Sequence, residues 1–330
     1  MRQRLSIEDY TQGIISGDRI VLSRAITIIE SKLPHDRNIA KLILQNILVN
    51  TGNSIRIGIT GVPGVGKSTF IEVLGKYITS LRKRVAVLTI DPSSKKSGGS
   101  ILGDKTRMEK LAHDPLAYIR PSASNLSLGG VARNTRETML LCEAAGFEVI
   151  IVETVGVGQS ETLVKGMTDF FLLLMLAGAG DELQGIKKGI IEMADVIAIN
   201  KADQQNKAAA NLAMQEYKNA LHLFPVSDSG YIPQAVSCSA LENTGLNHIW
   251  EIIQDYQKKM KQNGFFEKNR KNQNLDWMHD HIRQTLETTF YQKPAIKKKM
   301  GTIEKTVRAG QELPVAAAEK LLNIFFEKNT

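Results

Sequence analysis

Cysteine is scarce in this 330-residue chain, and the two that it has, Cys142 and Cys238, lie far apart and form no C-x-x-C pair. A disulfide framework or a cysteine-rich zinc site is therefore not expected, and a reducing compartment fits. The chain also lacks the run of about 18 apolar residues that a membrane-spanning helix needs. Its longest apolar stretch, residues 170–180, predicts a buried strand that runs into a loop.

The first residues, MRQRLSIEDYTQG, contain no apolar segment and carry acidic residues early. This pattern is typical of neither a secretory signal nor a transit peptide. We therefore expect a soluble, cytoplasmic protein that does not associate with membranes.

Composition indicates a folded globular protein, since 42% of the residues are hydrophobic and 23% are charged. The net charge is +8, and from Asp255 to the end 15 Lys and Arg oppose 9 Asp and Glu. Such a basic region can attract nucleic acid, anionic lipid or an acidic partner, but a solvated helical face is the simpler interpretation. No basic stripe is interleaved with aromatic residues, so nucleic acid binding is not expected.

Hydrophobic periodicity divides the chain into three parts. Residues 1–50 predict an N-terminal helical extension, in which Asp36 is a possible helix start. In residues 51–260, short apolar runs alternate with helical stretches, which is typical of parallel strands covered on both faces. The part from 261 to 330 predicts a polar connector and then helices around a turn at Pro294. The runs that predict strands are RIGIT (56–60), VAVLTI (85–90), EVIIV (148–152), FFLLLML (170–176), DVIAI (195–199) and AVSCS (235–239).

A glycine-rich segment after the first predicted strand matches G-x-x-x-x-G-K-[ST] and precedes a helical stretch, which is the context that this phosphate-binding motif requires. Its glycines let backbone N–H groups wrap around phosphates at a helix N-terminus. Lys67 supplies a cation to the β- and γ-phosphates, and the Ser68 hydroxyl can ligate Mg²⁺. The predicted phosphate contacts are Gly61, Val62, Pro63, Gly64, Val65, Gly66, Lys67, Ser68 and Thr69.

A second motif, Asn200-Lys201-Ala202-Asp203, follows the strand DVIAI and indicates guanine. The Asp203 carboxylate can accept from guanine N1–H and its exocyclic amine, whereas adenine offers neither donor there. Asn200 can tie this loop to the phosphate loop, and the stem of Lys201 can lie along the base. Ser239, Ala240 and Leu241, after another strand, are predicted to form a second base-contacting loop.

Acidic residues at strand ends predict the remaining magnesium ligands. Glu153 ends the strand EVIIV, Asp91 ends VAVLTI, and Asp104 lies in the following loop. The alternative is that they cap turns or helices. Gly156 permits the backbone to approach the γ-phosphate, and we assign catalytic roles to Lys67 and Glu153.

The motifs together predict a GTPase that converts GTP to GDP and phosphate. No glutamine directly follows Gly156 to orient the attacking water. We therefore expect turnover to be slow without a partner.

These motifs occur in order with three longer stretches, TIDPSSKKSGGSILGDKTRM, ETVGVGQSE and LLLMLAGAGDELQGIKKGI. In this combination the chain resembles the MeaB (ArgK, LAO/AO-type) family of methylmalonyl-CoA mutase-associated GTPases, which belongs to the SIMIBI class of P-loop GTPases. The resemblance covers nearly the whole chain. It implies a P-loop NTPase fold of the α/β class, with a mostly parallel central sheet and helical N-terminal and C-terminal extensions.

The resemblance also implies a function: a G-protein chaperone that gates cofactor loading into an adenosylcobalamin-dependent acyl-CoA mutase and protects or reactivates that enzyme. It implies a homodimer, with a P-loop GTPase domain in residues 51–260 and a C-terminal helical dimerisation arm in residues 261–330. It further implies a third switch that communicates with the mutase, with polar residues Asp181, Glu182, Gln184, Lys187 and Lys188. The wider class often places an extra lysine early in the phosphate loop, but Val62 and Pro63 stand there in this chain.

Two other nucleotide-driven functions stay open. A nickel metallochaperone GTPase would need clusters of Cys or His at ligand spacing, and only His279 and His281 stand close together. An ATP-dependent kinase linked to amino-acid transport is the other alternative, although the N-K-x-D motif argues against ATP.

Overall fold

The structure is a computed structural model of the chain. It describes residues 4–90, 107–121, 128–154, 160–178, 188–225 and 227–326. The chain forms two compact units, Met1–Gln273 and Asn274–Thr330. The three-part division drawn from the sequence (1–50, 51–260 and 261–330) stays a prediction.

The first unit is built on a parallel sheet whose seven strands, in the described residues, lie in the order β3-β2-β4-β1-β5-β6-β7. Every pairing in it is parallel, as the continuous apolar runs predicted. The central strand β1 lies between β4 and β5, where the chain order changes direction. In such sheets, loops after the carboxyl ends of the strands at this point form the ligand site. The strands are β1 (Ile55–Gly61), β2 (Val85–Ile90), β3 (Ala117–Pro121), β4 (Val149–Thr154), β5 (Phe170–Leu176), β6 (Val196–Asn200) and β7 (Gln234–Ser237).

Helices cover both faces of this sheet, and further helices follow along the chain in the second unit. Where they begin, local signals are present: Ser6 Oγ accepts from Asp9 N at 3.0 Å and caps the first helix, and Asp18 caps the second. The helices are α1 (Ile7–Ile15), α2 (Arg19–Glu30), α3 (Pro34–Ile47), α4 (Lys67–Ser80), α5 (Glu109–Ala112), α6 (Leu128–Ala144), α7 (Ser160–Lys165), α8 (Lys188–Met193), α9 (Lys207–Leu221), α10 (Leu246–Gln262), α11 (Phe265–Gln292), α12 (Pro294–Arg308) and α13 (Pro314–Phe326).

Two apolar clusters, one on each face, hold the layers together. One joins α4, α9 and α10 to the sheet, and the other joins the N-terminal helices α1–α3 and α6 to the opposite face. The predicted N-terminal helical extension is thus helical, and it shares a core with the sheet. Gly58 stands in the middle of β1 because a Cβ there would come within 2.7 Å of Val164 Cγ1, the side chain that α7 packs onto the strand.

Three sequence expectations are wrong. The polar connector expected after residue 260 is helical, because α10 runs to Gln262 and α11 begins at Phe265. The turn expected at Pro294 is the start of α12, since proline is tolerated in the first helical turn. Asp36 does not start α3, which begins at Pro34; its carboxylate instead accepts two hydrogen bonds from Arg4.

An ion-pair cluster, which we call the amino-edge network, lies at the amino ends of β1 and β5. The Arg270 guanidinium pairs with both carboxylate oxygens of Asp169, at 2.8 and 2.7 Å, and donates to the carbonyls of Gly52 and Ser54. Glu143 accepts from Arg56 through both of its oxygens, at 2.9 and 3.0 Å. The network thus ties the start of α11 to two strands and to α6.

The Glu143 carboxyl makes the stability of this network depend on pH. Burial raises its pKa, but Arg56 and Ser54 lower it more, so the pKa stays below its usual value. A lowered pKa stabilises the fold above the unfolded-state value and loses that contribution as pH falls through the folded-state value. We expect the free energy of unfolding to decrease as the pH drops below about 4, because unfolded Glu titrates near that pH.

Denaturant midpoints measured between neutral and acid pH check this expectation. Glu143→Gln should flatten the acid limb of the curve, whereas Glu216→Gln, on the exposed face of α9, should leave it unchanged. The same acid slope in both variants would show that Glu143 does not contribute to it.

In the second unit, a small apolar cluster packs α12 and α13 against each other. Ile296 is fully buried, and Ala317 and Leu321 are nearly so. The rings of Phe290 and Phe325 lie 5.3 Å apart. Within the described ranges of the whole chain, no helix combines the length and the apolar character that crossing a membrane requires.

Candidate functional site

The phosphate-binding motif forms the turn between β1 and α4, at the point where the sheet order changes direction. Gly64 and Gly66 adopt left-handed conformations, with φ of +76° and +87°, and α4 begins directly afterwards at Lys67. Pro63 and Gly64 are exposed, while Val62 and Val65 are buried and anchor the loop. Loop and helix N-terminus together form the anion-binding arrangement that the motif predicts.

Glycine at position 61 is needed because β1 and β5 approach closely there. A Cβ on Gly61 would come within 2.5 Å of the Leu174 carbonyl oxygen, a contact that real side chains do not make. A Cβ on Gly66 would lie 3.3 Å from Asn200 Nδ2, so a larger residue there would press on the loop after β6. Both glycines therefore fix the position of the phosphate loop against its neighbours.

The ammonium group of Lys67 lies close to the backbone of the phosphate loop. Its Nζ donates to the Gly61 carbonyl at 2.8 Å and lies 3.4 Å from that of Val62. Burial lowers the pKa of Lys67, and the nearby Glu153 and Glu161 carboxylates oppose that effect. A phosphate anion in the loop would add to their effect and favour the charged form.

Ser68 and Glu153 face each other across the site, with Ser68 Oγ 3.5 Å from Glu153 Oε1. Glu153 is the next-to-last residue of β4 and is only 4% exposed. A hydroxyl and a carboxylate are the oxygen ligands that Mg²⁺ prefers, so these residues fit that ion. The other expected ligands, Asp91 and Asp104, lie outside the described residues, as does Gly156.

The predicted guanine-binding residues come together at the ends of β6 and β7. Ser239 Oγ lies 3.5 Å from Asp203 Oδ2 and accepts from Glu242 N at 3.1 Å. Lys201 is exposed and has a φ of +60°. Ala240 is buried, and Leu241, at 81% exposure, projects into solvent. The two loops that the sequence singles out for the base are thus adjacent.

Asn200 connects the base loops to the phosphate loop. Its Nδ2 donates to the Val65 carbonyl at 2.8 Å, and its Oδ1 accepts from Ala240 N at 3.2 Å. The side chain is 1% exposed, so both bonds are shielded from water. This arrangement, which we call the Asn200 clamp, was expected toward the phosphate loop but not toward Ala240.

Sequence reasoning missed a buried hydroxyl pair beneath the site. Thr154 Oγ1 donates to Thr60 Oγ1 at 2.7 Å, and both residues are at most 1% exposed. Thr60 precedes the phosphate loop and Thr154 follows Glu153, so the pair fixes two functional strands relative to each other. Isolated threonines in β-rich runs give no sequence signal for such a bond, because the two lie 94 residues apart.

The predicted third switch lies almost wholly outside the described residues. This applies to Asp181, Glu182, Gln184 and Lys187, while Lys188 is the first residue of α8. Among the residues that the structure describes, no group of three or more His, Cys, Asp or Glu side chains is placed to hold a metal ion.

The sequence profile described as "Methylmalonyl Co-A mutase-associated GTPase MeaB" matches residues 22–295. The chain belongs to this MeaB family. The match includes the phosphate loop, the base loops and all seven described strands. Membership of a GTPase family implies binding of guanine nucleotides.

Individual relatives agree with this assignment. A putative GTPase of Caulobacter vibrioides is 48% identical, with 97% of this chain and 98% of that protein covered. The GTPase ArgK of Escherichia coli is 46% identical over 84% of each chain. The mouse protein named methylmalonic aciduria type A homolog, mitochondrial, is 41% identical over 98% of this chain and 80% of its own length.

Among solved structures, one described as LAO/AO transport system kinase superimposes with a TM-score of 0.78. It is 33% identical in sequence, and the match covers 99% of this chain and 100% of that one. The P-loop GTPase fold expected from the sequence is thereby confirmed.

Proposed function

We propose that this chain binds and hydrolyses GTP and uses the cycle to act as a chaperone for an adenosylcobalamin-dependent acyl-CoA mutase. The observation that carries the nucleotide part is the Asn200 clamp, because it joins a phosphate loop and a base loop into one site. The mutase part rests on the family description and on relatives named for methylmalonic aciduria.

In this proposal the chain's own groups prepare GTP for attack by water. The phosphate loop and the α4 N-terminus bind the phosphates, and the Lys67 ammonium leaves its carbonyl partners to neutralise charge on the β- and γ-phosphates. Ser68 and Glu153, with Asp91 and Asp104 as further candidates, would hold Mg²⁺, which supplies charge neutralisation when bound. Glu153 is buried beside Lys67, so it is held in position before the substrate arrives.

Base selection in the proposed site depends on Asp203. Its carboxylate accepts from two N–H groups of guanine, and Asp203→Asn replaces one acceptor by an NH₂ group that opposes a guanine donor. We expect GTP affinity to fall by at least about a hundredfold and affinity for XTP, which has a carbonyl at that position, to rise. Competition between labelled GTP and XTP checks this, with Asp228→Asn in an exposed loop as control. Unaltered GTP preference in Asp203→Asn would remove Asp203 from the site.

The chaperone role can be tested by association with candidate mutases. We expect the chain to co-purify with an adenosylcobalamin-dependent acyl-CoA mutase in amounts that differ between GTP, GDP and no nucleotide, because the γ-phosphate holds loops that a partner can contact. Association that does not depend on the nucleotide, or a lack of any association, would contradict the chaperone role. Neither result would contradict the proposal that the chain binds GTP.

The proposal includes a homodimer formed through α11. In the second unit, four apolar side chains recur on this helix at steps of three or four residues and are about half exposed. They are Leu275 (55%), Met278 (48%), Ile282 (47%) and Leu286 (58%). Such a stripe is typical of a helix that packs against another helix, and a second copy of the same stripe would complement it.

Placing a charge in the stripe should separate the dimer. We expect Ile282→Asp to elute as a monomer in size-exclusion chromatography with light scattering, because pairing would then bury two carboxylates. Val49→Asp, at a residue that is 88% exposed near the end of α3, is the matched control and should not change the measured mass. A dimer that persists in Ile282→Asp would place the interface elsewhere.

A further inference from the structure

Left-handed backbone conformations are concentrated in the two predicted guanine-binding loops. Among the non-glycine residues that the structure describes, four have a positive φ, and three of these lie in the loops after β6 and β7. They are Lys201 (+60°), Gln204 (+28°) and Asn243 (+55°). A Cβ makes this conformation sterically unfavourable, so it persists only where surrounding contacts hold it. The contacts that hold Lys201 therefore determine part of the shape of the proposed site.

The peptide group that follows Lys201 is held at both of its ends. Its carbonyl, which belongs to Lys201, accepts from Asn206 Nδ2 at 2.9 Å. Its N–H, which belongs to Ala202, donates to the Cys238 carbonyl at 3.0 Å. One bond thus comes from the start of α9 and the other from the residue after β7. Together they fix the orientation of this peptide relative to the end of β6, which keeps the Lys201 backbone left-handed.

Asn206 occupies the N-cap position of α9 but does not cap the helix. An N-cap side chain normally accepts from N–H groups of the first helical turn. The Asn206 side chain makes no such bond within the described helix and instead donates backward along the chain to Lys201. Its backbone N–H donates to the Asp203 carbonyl at 2.8 Å, where a short 3₁₀ turn, Gln204–Asn206, precedes α9. The side chain therefore supports the base loop rather than the helix.

The backbone conformation of Lys201 determines where its side chain runs. This side chain is exposed, and its Cε lies 4.0 Å from the position that a Cβ on Gly66 would occupy. The stem therefore extends from the base loop over the phosphate loop. A right-handed backbone at Lys201 would rotate its Cβ away from this direction, because φ sets the direction of the Cα–Cβ bond relative to the preceding peptide.

We propose that Asn206 is a positioning residue for guanine: it holds Lys201 in the left-handed conformation in which the lysine stem covers one face of the base. Asn206 itself does not contact the nucleotide, and its role rests on the guanine site of the proposed function. Because stem and base meet whether or not a γ-phosphate is present, Asn206 contributes equally to the binding of GDP and GTP. Uniform binding of this kind lowers KM and leaves kcat unchanged.

Asn206→Ala tests the proposal in the full-length protein. We expect the affinities for GDP and for a non-hydrolysable GTP analogue, measured by calorimetry with Mg²⁺, each to fall about tenfold, because the left-handed backbone loses a bond that holds it. The kcat at saturating GTP should stay within about twofold of the wild type. Asn219→Ala, at an exposed asparagine of the same helix, should change neither quantity. A loss of affinity for the GTP analogue alone would overturn the proposal in favour of a role at the γ-phosphate.

A charge-matched pair of variants separates positioning of Lys201 from support of α9. Asn206→Asp keeps a good N-cap residue but cannot donate to the Lys201 carbonyl. We therefore expect an unchanged Tm and an affinity loss at least as large as that of Asn206→Ala. Gln205→Glu adds the same charge at the exposed neighbouring position and should keep the wild-type affinity. An equal loss of affinity in both variants, or wild-type affinity in Asn206→Asp, would overturn the proposal.

A double variant shows whether Asn206 acts through Lys201. Glycine adopts the left-handed conformation without steric cost, so in a Lys201→Gly chain the further change Asn206→Ala should lower the affinity by less than about twofold. The full tenfold loss in both backgrounds would overturn the proposal, as would wild-type affinity in Asn206→Ala. These outcomes leave the proposed GTPase function intact, whereas a wild-type chain that binds neither GDP nor the GTP analogue would overturn both.

Discussion

Lys67→Ala is expected to abolish productive binding of GTP and to lower kcat/KM by at least about a thousandfold. The ammonium is the group that can move from the Gly61 and Val62 carbonyls to the phosphates, and no other described lysine side chain is bonded to this loop. Steady-state hydrolysis and the affinity for a non-hydrolysable GTP analogue check the expectation.

The same substitution should not destabilise the protein without nucleotide. Burial lowers the pKa of Lys67, so the fold bears a cost for keeping the charged ammonium there, and alanine removes that cost. Thermal unfolding should therefore give a Tm at or above that of the wild type, while the stabilisation by added nucleotide is lost. Lys41→Ala, on the exposed face of α3, is the control. Unchanged nucleotide affinity in Lys67→Ala would contradict our assignment of the phosphate loop.

The largest loss of stability is expected from Arg270→Met in the amino-edge network. The Arg270 side chain is 12% exposed and its partner Asp169 is 2% exposed, so removing the guanidinium leaves a buried carboxylate and two carbonyls without their donor. Breaking a buried pair in this way costs about 3–5 kcal/mol. The free energy of unfolding from denaturant titration measures it.

Arg283→Met provides the matched control, because it removes an arginine of the same helix, α11, that is also paired with an aspartate. Arg283 is 71% exposed, and exposed pairs contribute at most about 1 kcal/mol. A loss of similar size in both variants would mean that burial does not determine the contribution of Arg270.

The sequence was sufficient for the parts of the fold that local pattern determines. Six of the seven described strands coincide with runs that the sequence singles out. Five of them are inner strands, which contain few polar residues because both of their faces are covered, and the sixth, β7, is an edge strand. The exception is β3, AYIRP, which lies at the edge of the sheet and carries Arg120 and Pro121. Edge strands can contain polar residues and proline, so the sequence of β3 shows no continuous apolar run.

Tertiary contacts explain what the sequence did not predict. The start of α11 is polar enough to resemble a connector, yet it is helical there, because Arg270 and Phe266 make buried contacts within the first unit. The partners Asp169 and Arg270 lie 101 residues apart, so no local pattern joins them. The candidate site divides in the same way between local pattern and tertiary contacts. The phosphate and base motifs could be recognised in the sequence, whereas the second hydrogen bond of Asn200 and the threonine pair depend on contacts between distant segments.

The Asn200 side chain has one further consequence. Because a single amide bonds to both halves of the proposed pocket, we expect ordering of one half to lower the entropic cost of ordering the other, and by thermodynamic linkage the benefit would be mutual. Nucleoside and polyphosphate would then be recognised as one molecule rather than as two fragments. Selectivity for the base would thereby be coupled, through the Asn200 carboxamide, to binding of the γ-phosphate.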